Sequence, residues 1–170
     1  MKTLICYATK QGTTLRCSKL IASKTKNYDL VDIKQSKDID FNQYDRIYLG
    51  TPVYYGKINR HMAKLMKKQK KILLEKDLRI FTLGMDDKDM NKTRKSNFDK
   101  NILDHAIIKY LGGAYDFEKM NWFERFLVNK ISTFSESIQD IKADKLEELM
   151  NEDKVVIEIE EKKNPSSDLN

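Results

Sequence analysis

Five short apolar runs alternate with stretches of helical period, and that alternation constrains the fold of this chain more than any other feature. The runs cover residues 2–8, 28–33 ("YDLVDI"), 46–50 ("RIYLG"), 78–84 ("LRIFTLG") and 107–115 ("IIKYLGGAY"). They are rich in β-branched or aromatic residues, and Gly, Thr or Asp closes them, which marks strands. Between them the spacing predicts helices over 13–25, with Leu15, Leu20 and Ile21 inward, over 58–74 and over 97–106. After the fifth strand "NWFERFLVNKIS" and "SIQDIKADKLEELM" are again helical by period. Strands that alternate with helices build a parallel sheet covered on both faces. Five strands of this size suit a doubly wound α/β sheet of order 2-1-3-4-5 better than a barrel.

At 170 residues with 40% hydrophobic content, one domain over residues 1–153 is expected. Residues 154–170, charged and ending in Pro, Ser and Asn, are expected to form a mobile tail, with a short strand at Val155 to Ile159 as the alternative. No apolar stretch approaches the about 20 residues of a membrane span, and "MKTLICYATK" runs into a strand without a cleavage site, so a cytoplasmic protein is expected. Cys6 and Cys17 stand in no redox or metal-ligand spacing and are read as buried thiols. His61 and His105 lie far apart without ligand partners, so no metal site is expected. The net charge of +6 is concentrated in "GKINRHMAKLMKKQKK", residues 56–71. A basic run raises the question of nucleic acid, but no recognition motif accompanies it, and a solvated Lys-rich helix face is the plainer meaning.

The first strand leaves through "YATKQGTTLRCS", residues 7–18, which carries more hydrogen-bonding groups than a turn requires. In doubly wound folds ligands bind beyond the carboxyl ends of the strands, where strand order reverses. Backbone N–H groups at the following helix start, with the hydroxyls of Thr9, Thr13 and Thr14, suit an anionic phosphate, and Gly12 allows close approach. The alternative is an ordinary turn in which Thr13 caps the helix. One glycine does not make the G-x-G-x-x-G of a dinucleotide fold. "GTPVYYGKI" fails as a triphosphatase loop by one residue of spacing, with Ile58 where a hydroxyl belongs.

These residues resemble a family. T-x-x-G-x-T at Thr9 to Thr14 resembles the FMN phosphate loop of flavodoxins, and "GTPVYYGKI" resembles their second loop, which packs on the isoalloxazine ring. The resemblance extends to the menaquinone-dependent protoporphyrinogen oxidases, in which a Gly-aromatic segment and an amphipathic helix with Trp follow the fifth strand. "GGAYDFEKMNWFERFLVNKIS", residues 112–132, is similar to that segment. The resemblance implies a three-layer flavodoxin-like fold with an extra amphipathic helix after strand 5, and FMN as cofactor. It implies FMN contacts from Thr9, Lys10, Gln11, Gly12, Thr13 and Thr14, from Thr51, Pro52, Val53, Tyr54, Tyr55, Gly56 and Lys57, and from Gly84, Met85, Asp86 and Asp87. Gln11 stands where many flavodoxins place Thr, and the third loop lacks an aromatic for the outer ring face. Tyr54 and Tyr55 are therefore the expected ring contacts, in preference to core or hairpin packing. Lys57, Arg60 and Lys64 near the ring would favour the reduced anion and raise the flavin potential. The resemblance implies oxidation of protoporphyrinogen with a quinone acceptor, and peripheral membrane contact through the helix around Trp122. A soluble shuttle of single electrons between redox proteins is the alternative. No side chain stands out as an obligatory acid or base.

Overall fold

The computed structural model describes residues 1–10, 12–35, 38–84, 90–112 and 141–151. The helix around Trp122, the strand option at Val155 to Ile159 and the C-terminal tail fall outside these residues, as do Gln11, Met85, Asp86 and Asp87.

The order is β1 (Thr3–Tyr7), α1 (Thr13–Ser23), β2 (Tyr28–Asp32), a 3-10 turn (Phe41–Gln43), β3 (Arg46–Tyr54), β4 (Lys57–Ile58), α2 (Arg60–Leu73) and β5 (Asp77–Leu83). Then come α3 (Met90–Asn97), α4 (Lys100–His105), β6 (Ile107–Tyr110) and α5 (Ala143–Asn151). The parallel strands lie in the order β2-β1-β3-β5-β6, and the two-residue β4 folds back antiparallel on the end of β3. Counted by parallel strands alone, this is the expected 2-1-3-4-5 arrangement. Ile5 pairs with Leu30 on one side and Tyr48 on the other, and the register of β3 with β5 runs from Arg46–Asp77 to Pro52–Leu83.

Alternation along the strands sorts the apolar residues onto two faces. Leu4, Cys6, Ile47, Leu49, Leu78, Ile80 and Ile108 meet Met62, Met66 and Leu73 of α2 and Phe98 and Ile102 beside α4. Ile5, Tyr48, Phe81 and Leu83 meet Cys17 and Ile21 of α1 and Leu146 and Leu149 of α5. Three layers result, with α1, α2, α4 and α5 each burying apolar residues against the sheet. Buried Arg79 ties α5 to the sheet: it bonds Asp77 Oδ1 at 2.9 Å and donates through Nη1 to the Leu149 carbonyl at 2.6 Å. Both thiols are free and buried, as expected, and burial pushes each up to about 12.

Several boundaries differ from the sequence reading: α1 stops at Ser23, and the last helix, expected over 137–150, begins at Ala143 because Ile141 is taken up in a bridge to Gly112. The third strand continues past Gly50 to Tyr54, because β5 pairs with it as far as Pro52 and β4 covers its last residues. The second helix begins at Arg60, since Asn59 caps it by accepting from the His61 N–H at 2.9 Å. The expected 97–106 helix is shortened to α4, capped by Asp99, whose Oδ1 accepts from the Ile102 N–H at 3.1 Å. Helix α3 has no counterpart in the sequence reading; it buries none of its residues, so it lacks the apolar period that announces a helix. The fifth strand ends at Tyr110; beyond it Gly112 bridges to Ile141.

Candidate functional site

Helix α1 leaves β1 on one face of the sheet and α2 leaves the β3–β4 hairpin on the other. A crevice therefore opens at the carboxyl ends of β1 and β3. Strand β1 reaches Tyr7, and the Ala8 N–H bonds the Gly50 carbonyl at 2.9 Å, which keeps the two strand ends level. From there the chain turns outward through Thr9 and Lys10.

The first loop is organised by Thr9 and Gly12. Thr9 Oγ1 accepts from the Gly12 N–H at 2.9 Å, and the Thr9 carbonyl accepts from Lys34 Nζ at 2.9 Å. Gly12 is the N-cap of α1 with φ 92° and ψ −16°, the left-handed region that glycine adopts without strain. Among the described residues no side chain caps this helix start, and no acidic residue lies in its first turn. The Thr13 capping alternative is thus excluded: Thr13 is the first helical residue, one position too late to cap. Thr14 is buried, and its carbonyl receives the Ser18 hydroxyl at 2.8 Å. A methyl group built at Gly12 meets nothing within 4 Å. A helix start left open by the described residues has the N–H groups and dipole that suit an anion.

The second loop is a hairpin. Val53 and Tyr54 pair with Ile58 and Lys57, leaving Tyr55 and Gly56 as a two-residue turn with φ 50° and 73°. The hairpin alternative for the two tyrosines therefore holds for the backbone, but their rings do not join the core: Tyr54 is 36% exposed and Tyr55 90%. Partial burial raises the Tyr54 phenol above its ordinary value and keeps it neutral. Lys10 Nζ stands 5.4 Å from the centre of the Tyr54 ring, which joins the first loop to the second. Thr51 is fully buried, and its hydroxyl is used within the loop, donating to the Pro52 carbonyl at 3.2 Å and accepting from the Asn59 N–H at 3.1 Å. Pro52 is likewise buried, whereas Gly56 and Lys57 are exposed.

Of the third loop the structure describes Gly84. A methyl there would stand 2.9 Å from the Val53 carbonyl oxygen, so glycine lets β5 close against the second loop. The Tyr110 hydroxyl donates to the Gly84 carbonyl, and the Gly84 N–H donates to the Gly112 carbonyl at 3.2 Å. The structure thus gathers Thr9, Lys10, Gly12, Thr13 and Thr14 with Val53 to Lys57 and Gly84 at one end of the sheet. Three residues absent from the sequence reading organise these loops: Lys34, Asn59 and Asn97. Asn59 had a local signal, an Asn before a helical period; Lys34 and Asn97 act across 25 and 39 residues, and no local pattern reports them.

A doubly wound parallel sheet covered by helices on both faces defines a three-layer α/β protein, a class in which ligands sit at the strand-order reversal. The family model for the flavodoxin domain matches residues 4–142, and the chain belongs to that family. Among curated proteins it is similar to the protoporphyrinogen IX dehydrogenase [quinone] of Escherichia coli K12, 22% identical over 146 residues, covering 79% of this chain and 81% of the relative. Among solved structures it is similar to oxidised flavodoxin 2 from Bacillus cereus. There the TM-score is 0.51 at 19% identity, over 80% of this chain and 99% of the other. A Lactobacillus acidophilus flavoprotein in complex with FMN superposes with a TM-score of 0.50 at 21% identity, over 65% and 91%. At these identities the structural matches establish the fold.

Proposed function

We propose that this protein is an FMN-dependent oxidoreductase that takes electrons in pairs from a reduced substrate, protoporphyrinogen IX in the most specific form, and passes them to a quinone. The observation that carries the cofactor is the start of α1: a glycine cap at positive φ, no side-chain cap, no acid in the first turn and open space beside it. Thr9, Lys10, Gln11, Gly12, Thr13 and Thr14 would hold the phosphate. Val53, Tyr54, Tyr55, Gly56 and Lys57 would line the ring, with Thr51 and Pro52 holding that loop from below, and Gly84, Met85, Asp86 and Asp87 would close the third side. FMN supplies the redox chemistry, accepting a hydride equivalent and giving up its electrons to the acceptor.

The chain's own residues then set position and charge. Lys57 lies exposed in the hairpin, and exposed Arg60, Lys64, Lys67, Lys68 and Lys71 continue from it along α2. Lys57 and Arg60, at the site end of this run, would stabilise a reduced anionic cofactor held beside them, which supports an electron-accepting role over a strongly reducing one. The name of the Escherichia coli relative supports the quinone and porphyrinogen reading.

The test is to load the purified protein with FMN and photoreduce it without oxygen while recording visible spectra. Paired-electron chemistry predicts that the oxidised spectrum gives way directly to the fully reduced one, followed by quinone-dependent oxidation of protoporphyrinogen. A long-wavelength band that grows and then decays would favour the single-electron shuttle. Failure to retain FMN would overturn both.

A further inference from the structure

The hairpin that presents Tyr54 and Tyr55 is built against its own propensity. Both turn residues have positive φ, and such turns ordinarily take Asn, Asp or Gly first. Here the first is Tyr55, a bulky side chain in the left-handed region and 90% exposed, so burial of its ring does not compensate for the strain. The compensation comes from α3. Asn97, the last residue of that helix, donates through Nδ2 to the Gly56 carbonyl at 2.7 Å, and its Oδ1 accepts from the Ile58 N–H at 2.9 Å. One amide thus holds the second turn residue and the strand that leaves the turn. Nδ2 also reaches the Thr93 carbonyl at 2.7 Å, which anchors the same amide to its own helix. Helix α3 buries none of its residues, so core filling does not explain its position. It begins at Met90, directly after the third loop.

We propose that Asn97 is a positioning residue of the cofactor site: it holds the strained Tyr55–Gly56 turn so that the two tyrosines stand beside the phosphate loop, ready for a flavin ring. The inference rests on the FMN reading above. The ring half of the site depends on Asn97, and the phosphate half, built by β1 and α1, does not.

The experiment compares wild type with Asn97→Ala and Asn97→Asp in the full chain. It measures FMN affinity by fluorescence, the visible circular dichroism of bound flavin, and competition by inorganic phosphate. Asn97→Ala is expected to weaken FMN about tenfold, the effect of losing two hydrogen bonds that hold a contact surface. It should also change the flavin dichroism while phosphate inhibition stays within about twofold. Asn97→Asp keeps the acceptor for Ile58 but sets a carboxylate oxygen against the Gly56 and Thr93 carbonyls, and is expected to weaken FMN at least as much as alanine. Urea unfolding without FMN supplies the second readout. With Tyr55→Asn the turn becomes Asn-Gly, which holds itself, so Asn97→Ala is expected to shift the midpoint less than in wild type. Equal urea shifts in both backgrounds, or FMN and phosphate weakened alike, would overturn the proposal. A wild type that binds phosphate but no FMN would overturn the function itself, and the urea comparison would still report whether Asn97 holds the turn.

Discussion

Replacing Gly12 by alanine separates two reasons a glycine can stand at the start of α1. A methyl at this position meets nothing within 4 Å, so crowding contributes nothing. What remains is the backbone: at φ 92° a residue with a Cβ carries a strain of about 1–2 kcal/mol. For a domain of this size each kcal/mol moves Tm by roughly 2–4 °C, so Gly12→Ala is expected to lower Tm by roughly 2–8 °C. Without ligand the loop relieves part of that strain by relaxing; with a phosphate bound on the helix N–H groups it cannot. The relieved part returns on binding, so lost stability and lost affinity share the same total of about 1–2 kcal/mol, and FMN affinity is expected to fall by at most about 30-fold. Gly12→Asn, which tolerates the left-handed region, is expected to lose less on both measures. The assays are thermal melts with and without FMN and a fluorescence titration. At a glycine with an ordinary helical backbone, alanine raises stability by about 0.4–1 kcal/mol instead. An unchanged or higher Tm for Gly12→Ala would refute the strained-cap argument.

Two predictions concern the core. Cys6 and Cys17 are buried, with burial pushing both thiols up to about 12, so a thiol reagent at neutral pH is expected to label neither in the native protein and both after denaturation. Burial pushes the Asp77 carboxyl up, but hydrogen bonds from Arg79 and Arg46 and their charges outweigh it and hold it below the ordinary carboxylate range. A depressed carboxyl contributes stability that is fully present above its unfolded value, about 4, and is lost as pH falls through the lower folded value. Asp77→Asn leaves buried Arg79 without its carboxylate but still bonded to the Leu149 carbonyl, and because Asp77 is partly exposed it is expected to cost about 1–2 kcal/mol near neutral pH while flattening the acid limb of the stability curve. Urea midpoints against pH check this, and a parallel downward shift of the whole curve would contradict it.

Much of the architecture is legible in the chain because strand and helix periods are local. Side chains alternate across a strand and recur about every fourth residue along a helix, whatever the rest of the molecule does. Strand runs such as "TLICYA" and the stripe of α1 therefore declare themselves, and their alternation leads to a layered parallel sheet in the order later observed. The hydroxyl-rich exit from β1 was legible as a candidate site for the same reason: all its groups lie within six residues, Thr9 to Thr14. Boundaries were less legible where a partner sets them, as where β5 and β4 carry β3 on from Gly50 to Tyr54. Helix α3 was invisible because it buries nothing.

By itself, then, the sequence determined the layers, the position of the strand-order reversal and the hydroxyl-rich turn after β1. Tertiary structure decided the rest. It made Gly12 and not Thr13 the cap, spent the Thr51 hydroxyl inside its loop, and set Lys34 on the Thr9 carbonyl. It also let Asn97 hold a tyrosine in a backbone conformation tyrosine avoids. Each of these depends on which groups meet once distant segments are packed. A hydrogen bond across 41 residues between an amide and a carbonyl leaves no periodic trace in either segment, since it selects one side chain and one backbone atom.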